Sequence, residues 1–414
     1  MTAKIHYTIG GQTIPDLLQY CADHQLTQFT LVADDNTFPV LGETVAQALT
    51  GQGCDVKTIV LPGPEVIPNE HFIMQVLVQA DTQNRTYLAV GSGTLTDITR
   101  FVSHRTKADF ISIPTAPSVD GFASIGAPLV IDGLKQTMLC QPPIAIFADL
   151  PTLCDSPPKM IASGFGDLLG KYTSLADWEL GHLLWDEPYS AQIAQNFRTA
   201  VDACVVQADA IGKASPEGIQ SLMDGLVECG IGILDFGESR PASGMEHHIS
   251  HHLEMKIVWE NLPMVLHGAK VGVATLTAAD YYEKIKRITP QQAQEKLNAV
   301  SLPNREQEIE RIAAAYPPIA NKLVAAQQPF LNLTEQDYAQ LQQKIVDNWP
   351  KIQQIAATVP DSQTLAGMLQ KVGAATVMPA LGLSNEEFNR AIQKSHYLRN
   401  RFTVAKLSRM LGML

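Results

Sequence analysis

Four short runs of apolar and β-branched residues, 29–34 (FTLVAD), 58–61 (TIVL), 87–90 (YLAV) and 110–113 (FISI), are separated by stretches long enough for a helix. Each run closes near Gly, Pro or Asp. Strands so spaced predict βα units, because a helical crossover returns the chain to start the next strand in the same direction. Two more runs, 129–131 (LVI) and 144–147 (IAIF), continue the series. The expectation is a mainly parallel sheet with ligands at the carboxyl ends of its strands. Beyond Pro158 the strand-like runs thin out, and no glycine occurs between Val273 and Ala366. Segment 306–316 carries apolar residues on a helical period, and Pro290, Pro303, Pro317 and Pro360 punctuate the helices. An α/β half is therefore expected to precede an all-helical half. The join is placed at 154–158 (CDSPP), where consecutive prolines cannot continue a strand or helix interior, giving domains 1–156 and 157–414.

The chain has 414 residues, enough for two or three domains; it is 45% hydrophobic and 17% charged, the balance of a globular protein. A net charge of −12 disfavours nucleic acid and anionic membrane as partners and leaves a small molecule as the expected ligand. The N-terminal segment has no signal-peptide pattern, and no apolar run is long enough to span a membrane, so a cytoplasmic location is expected. Six dispersed cysteines without a CxxC pair predict free thiols rather than a disulfide framework or a thiolate zinc site.

Three segments could carry chemistry. Gly91-Ser92-Gly93-Thr94-Leu95 follows one apolar run and precedes a helix, where backbone amides and the helix dipole favour a phosphate. The same glycines also suit a plain strand-to-helix turn. Segment 114–124 (PTAPSVDGFAS) offers Thr115, Ser118 and Asp120 on a loop stiffened by prolines, able to orient a polar ligand or simply to cap a helix. The third is distributed: Asp167 in GFGD, then 246–252 (EHHISHH), then His267 in LHG. On a helix His247 and His251 are four residues apart and share a face. A carboxylate and two imidazoles suit a borderline divalent cation, whereas a solvated His-rich helix end is the alternative.

In order, GSGTLTDITR, IPTAPSVDGFAS, GFGDLLGKYTSLADWEL, SRPASGMEHHISH and LHGAKVGVATL resemble the motifs of the sn-glycerol-1-phosphate dehydrogenases, particularly the bacterial type. These enzymes belong to the superfamily of iron-containing alcohol dehydrogenases, glycerol dehydrogenases and dehydroquinate synthases. The resemblance runs from about Asp34 to His267, and 398–404 (LRNRFTV) resembles the C-terminal helix region of the bacterial members. It implies a Rossmann-like α/β domain followed by an all-helical domain, with the active site in the cleft between them. It also implies metal ligands at Asp167, His247 and His267, with His251 and Asp120 at substrate. The nucleotide is implied on Gly91, Ser92, Gly93, Thr94 and Leu95 and on Thr115, Ala116, Pro117 and Ser118, with Ser124 nearby and Asp34 at the adenosine ribose. The EHxxSH pattern fixes the register, so His248 and His252, one residue further round the helix, point away from the metal.

The reaction so implied is reversible hydride transfer between glycerol 1-phosphate and dihydroxyacetone phosphate, a step of phospholipid metabolism, using NAD(P) and one divalent ion. Zinc, nickel and iron suit the donor set equally. Asp34 favours NAD over NADP. His251 or Asp120 is the expected proton path. Lys171 and Lys270 lie near the motifs but are as readily surface salt-bridge residues, so no phosphate-binding residue is assigned. A glycerol or polyol dehydrogenase, a dehydroquinate-synthase-like lyase and an inactive scaffold are the alternatives. The resemblance further implies a homo-oligomer, a dimer or larger.

Overall fold

Each of the four leading apolar runs lies within a strand of one parallel sheet in the computed structural model, which describes residues 5–81, 83–132 and 134–414. The strands are β1 (His6–Gly10), β2 (Gln28–Asp34), β3 (Asp55–Leu61), β4 (Thr86–Gly91), β5 (Phe110–Pro114), β6 (Gly126–Ile131), β7 (Leu134–Leu139) and β8 (Ala145–Asp149). Six of them form the sheet in the order β1-β8-β5-β4-β2-β3, every pairing parallel. The run at 129–131 departs from the expected pattern. It belongs to β6, which pairs with β7 as a separate antiparallel hairpin. A short connection permits only antiparallel return, and the few residues between β6 and β7 leave no room for a crossover.

Helices α1 (Thr13–Asp23), α2 (Glu43–Gly51), α3 (Glu70–Leu77) and α4 (Gly93–Thr106) connect the sheet strands. Strand period fixes the two faces. Leu88 and Val90 of β4 join Leu17 of α1 and Val45 of α2 on one side, whereas Tyr87 and Ala89 join Ile98 and Val102 of α4 on the other. Buried on both faces, β4 and β5 are apolar throughout most of their length, as central parallel strands must be. The chain runs outward from β2 to β3 and then returns to β4 on the other side of β2. That reversal is a topological switch point, and in open α/β sheets ligands bind beyond the strand ends at such a point.

After the sheet the chain is helical: α5 (Leu150–Cys154), α6 (Pro158–Leu169), α7 (Lys171–Trp185), α8 (Ala191–Val206), α9 (Ala208–Gly212), α10 (Pro216–Phe236), α11 (Met245–Trp259) and α12 (His267–Arg287). The remaining helices are α13 (Pro290–Asn298), α14 (Arg305–Ala315), α15 (Ala320–Ala326), α16 (Gln328–Leu331), α17 (Glu335–Asp347), α18 (Trp349–Ala357), α19 (Ser362–Lys371), α20 (Asn385–Lys394) and α21 (Val404–Met410). Capping boxes led by Thr289, Thr334 and Ser384 start α13, α17 and α20, satisfying amides that no glycine-rich turn would otherwise serve. Among the described residues no helix is long and apolar enough to cross a membrane.

The chain forms two compact units. The first holds the sheet and runs to Leu168, with Thr199–Glu238 and Lys371–Gly373; the second comprises Leu169–Arg198, Ser239–Gln370 and Ala374–Leu414. The sheet ends at Asp149 of β8, close to the expected join, while its compact unit continues through α6 and takes in α10.

In the second unit α7 is buried nearly all round, so its polar side chains must find partners inside. Ser174 donates to the Pro241 carbonyl, and Thr173 donates to Glu246 at 2.7 Å. Asp177 accepts the Met245 amide at the start of α11, the Val404 amide at the start of α21 and the Tyr282 hydroxyl of α12, at 2.6–2.7 Å. One carboxylate thus sets three helices against α7. Burial, reinforced by the charge of Glu246, pushes its pKa up to about 7, against the pull of those donors. Asp177→Ala removes the acceptor from all three donors and is expected to lower stability by ~3–5 kcal/mol in urea unfolding. Asp177→Asn, which keeps one carbonyl oxygen, is expected to cost less.

Candidate functional site

The switch point lies next to the two segments that the sequence singles out for nucleotide. Ser92 precedes α4, whose first amides, those of Gly93, Thr94 and Leu95, have no intrahelical acceptors. Gly93 is required by packing: a Cβ there would sit 2.6 Å from Cγ2 of Val119. The same absence leaves the backbone at the helix start open to a phosphate. Asp34 ends β2, and its Oδ1 accepts the amides of Asn36 (3.0 Å) and Thr37 (2.7 Å), fixing the turn. Thr37 in turn donates to the Val90 carbonyl and ties that turn to β4.

Segment 114–124 lies beside this cradle. The Thr115 amide donates to the Gly91 carbonyl, and Thr115, Ala116, Ser118 and Ser124 are all buried. The anchor of this segment is Arg100, which the sequence reading quoted within a motif but assigned no role. Fully buried in α4, its guanidinium donates to the carbonyls of Gly121 (2.6 Å), Phe122 (2.9 Å) and Gly126 (2.8 Å) and to Asp97 (2.8 Å). Burial raises the pKa of Asp97 to about 7 although Arg100 pulls it down.

Helix α6 crosses the same segment through Gly164, where a Cβ would lie 1.8 Å from the Pro117 carbonyl oxygen. This backbone contact brings Asp167, one turn further along, to Asp120. The Asp120 amide donates to Asp167 Oδ2 at 3.1 Å, and Asp167 is wholly buried. The first unit therefore gathers Asp120, Asp167 and the glycine cradle.

The second unit gathers the histidines. On α11 and at the start of α12 the rings of His247, His251 and His267 form a triangle, with centroids 6.0 Å (247 to 251), 5.3 Å (247 to 267) and 5.6 Å (251 to 267) apart. Buried carboxylates orient two of the three rings. His247 Nδ1 is 2.8 Å from Glu246 Oε1, and His267 Nδ1 is 2.7 Å from Glu254 Oε1. With the Nδ1–H donated in each case, Nε2 is the nitrogen left to ligate, the arrangement found around protein-bound zinc. Burial alone would raise the Glu246 pKa, but the His247 bond and charge, with Thr173 and the Gly244 amide, hold it below the usual carboxylate range.

Neither carboxylate was assigned a role from sequence. Glu246 sits beside its histidine, and Glu254 lies three residues after His251 and seven after His247, which places it on the same helical face. His251, Glu254 and His267 also bring ligand-type atoms within 4.8 Å of one another, although Glu254 already accepts from His267. The expected surface roles of Lys171 and Lys270 are corrected here, because both are completely buried. Lys171 donates to the Ala242 carbonyl. Lys270 donates to the carbonyls of Val265 and Leu266 and lies 3.4 Å from Glu254, compensating its charge.

Residues 8–157 match the family model for iron-containing alcohol dehydrogenases. The chain is 36% identical over 399 residues to a glycerol-1-phosphate dehydrogenase, NAD(P)+, of Halalkalibacterium halodurans, covering 96% of this chain and 90% of that protein. It is 34% identical over 398 residues to the protein of the same name from Bacillus subtilis, covering 95% and 88%. Among solved structures, a glycerol dehydrogenase from Schizosaccharomyces pombe superposes with a TM-score of 0.63 at 15% identity, covering 100% of this chain and 89% of that one. A sulfoacetaldehyde reductase from Bifidobacterium kashiwanohense in complex with NAD+ gives 0.60 at 15% identity, covering 99% and 96%. At that identity the likeness is one of fold.

The two remaining histidines of α11 lie off this triangle. His248 is buried, and His252 Nδ1 meets the Tyr316 hydroxyl at 2.6 Å. Burial, helped by Lys256, Arg390 and Lys394, pushes the His252 pKa down to about 4. An unfolded histidine titrates near 6.5, so the stability that neutral His252 contributes is complete above that pH. It is lost as pH falls from about 6.5 toward 4, by up to ~3 kcal/mol at 1.36 kcal/mol per unit. Urea midpoints measured across this range should fall less steeply for His252→Gln than for the parent protein.

Proposed function

The chain belongs to the glycerol-1-phosphate dehydrogenase family of the iron-containing alcohol dehydrogenases, and on that premise we infer how its own residues serve the reaction. The protein is an NAD(P)-linked oxidoreductase that interconverts glycerol 1-phosphate and dihydroxyacetone phosphate and works with a divalent metal. When bound, the metal polarises the C2 oxygen and the nicotinamide exchanges hydride with C2.

Asp167, His247 and His267 would hold that metal. The observation that carries this assignment is the pair of imidazoles whose Nδ1 atoms are taken by buried carboxylates and whose Nε2 atoms are left for a ligand bond. Two nitrogens and one carboxylate oxygen suit zinc, nickel or iron(II) and leave coordination positions for water or substrate. The amides of Gly93, Thr94 and Leu95 would receive the pyrophosphate, with Gly91 and Ser92 shaping the turn. Thr115, Ala116, Pro117, Ser118 and Ser124 would line the nucleotide, and Asp34 would meet the adenosine ribose and disfavour a 2′-phosphate. Asp120 and His251 are assigned to substrate. Either can take the C2 hydroxyl proton in oxidation and return it in reduction, directly or through a water. Domains 1–156 and 157–414 would divide the work between nucleotide and metal with substrate.

We further propose a cytoplasmic homo-oligomer, a dimer or larger, without nucleic-acid or membrane partners. None of the six cysteines forms a disulfide among the described residues, which suits a reducing compartment, and the charge of −12 repels anionic surfaces.

The test is NADH oxidation with dihydroxyacetone phosphate by metal-stripped protein, before and after adding zinc, nickel or iron(II). Unphosphorylated dihydroxyacetone serves as the comparison. Metal-dependent turnover confined to the phosphorylated ketone is expected, and turnover of the free ketone alone would move the protein to the polyol dehydrogenases. His251→Ala is expected to lower kcat by 10²–10⁴-fold, the usual contribution of a positioned acid or base. Unchanged turnover would remove His251 from the proton path.

A further inference from the structure

On the face of the second unit formed by α14, α16, α17 and α21 lies a cavity of about 430 Å³, lined by none of the residues assigned above to metal, nucleotide or substrate. Its volume falls in the range of small-molecule sites. Its lining includes the apolar side chains of Phe330, Leu331, Leu341 and Met410. It also includes four cationic side chains, Arg305, Arg311, Lys406 and Arg409, against the single carboxylate of Glu308.

Glu308 is fully engaged. Its Oε1 accepts from Arg311 and from Arg409, both at 2.6 Å, and its Oε2 accepts from the Tyr397 hydroxyl at 2.8 Å. Lys406 has no acidic partner within salt-bridge distance among the described residues. Although its residue is only 7% exposed, its ammonium is met by a neutral oxygen, Oε1 of Gln327 at 3.0 Å, and by the face of Phe330 at 3.8 Å. Gln327 is itself locked, donating to the carbonyls of Tyr397 and Arg399. The ammonium is therefore held at the cavity wall. An ammonium buried without a salt-bridge partner is costly, and a chain folding for stability alone would place an apolar side chain there. Its pKa, lowered to about 7 chiefly by burial, reflects that cost. Such a concentration of positive charge is also unusual in a chain of net charge −12.

We propose that this cavity is a second ligand site, which binds an amphipathic organic anion: a carboxylate or phosphate monoester head on Lys406 and the neighbouring guanidiniums, with an alkyl or aryl body against Phe330 and Leu341. None of the cavity's lining residues is among those assigned to metal, nucleotide or substrate, so its test does not pass through turnover. Trp185 stacks on Phe330, ring centroids 4.2 Å apart and planes 3° from parallel, and supplies a reporter. Hexyl phosphate and hexanoate are titrated into the full-length protein, with 1-hexanol and inorganic phosphate as half-ligands, followed by tryptophan fluorescence and calorimetry. At least one amphipathic anion should bind saturably with one-to-one stoichiometry and at least tenfold more tightly than either half-ligand. The better of the two identifies the head group. Lys406→Met should weaken binding at least tenfold without lowering the urea midpoint, since it removes an uncompensated charge. Leu341→Trp, which fills the cavity, should abolish binding by a separate route and serves if Lys406→Met does not fold. No saturable binding of either anion, equal binding of 1-hexanol, or binding indifferent to both variants would overturn the proposal.

Discussion

Glu246, a carboxylate sealed from water, sets the geometry on which the helical unit depends. It accepts from Thr173 of α7, from the Gly244 amide before α11 and from Nδ1 of His247. These three bonds hold the start of α11 against α7 and fix the ring of His247 in one tautomer. Asp177 extends the same arrangement to α12 and α21 through Tyr282 and Val404. Buried carboxylates persist only when their acceptors are satisfied, so the register of these helices and the direction of the imidazole are one constraint. Glu254 repeats the device for His267, with buried Lys270 balancing its charge. Two histidines on different helices thus present the same nitrogen for the same reason.

The first unit reaches comparable rigidity by main-chain contacts. Arg100 holds the carbonyls of Gly121, Phe122 and Gly126, and Gly164 lets α6 touch the Pro117 carbonyl. The loop carrying Asp120 is consequently pinned from both sides, and the bond from its amide to Asp167 follows from that packing. A loop fixed by backbone contacts can present polar groups to a ligand without first having to order, which lowers the entropic cost of binding.

Much of this was legible in the sequence because strand period and glycine placement are local signals. The four leading runs all fall in the parallel sheet, and EHxxSH predicted which histidines share a face. The triangle of His247, His251 and His267, with His252 turned to Tyr316, follows the helical angle. Other features depend on distant partners and were not legible. Edge strand β1 is short and mixes polar with apolar residues, and the 129–131 run gives no sign that it pairs with β7 rather than joining the sheet. Lys171 and Lys270 are charged side chains, for which a surface salt bridge is the ordinary expectation; the carbonyls of Ala242, Val265 and Leu266, and Glu254 beside Lys270, are distant partners that accompany their burial. Arg100 and Glu254 were invisible for the same reason, since their meaning lies in carbonyls and rings brought to them by the fold.

If the carboxylate-held imidazoles of His247 and His267 hold the metal as proposed, its coordination shell must report them. X-ray absorption at the zinc edge of protein loaded with one equivalent tests this most directly. The account predicts two imidazole nitrogens at ~2.0–2.1 Å with the remaining shell filled by oxygen. It also predicts loss of one imidazole in His247→Ala and an unchanged spectrum in His248→Ala. A spectrum altered by His248→Ala, or left intact by His247→Ala, would contradict it.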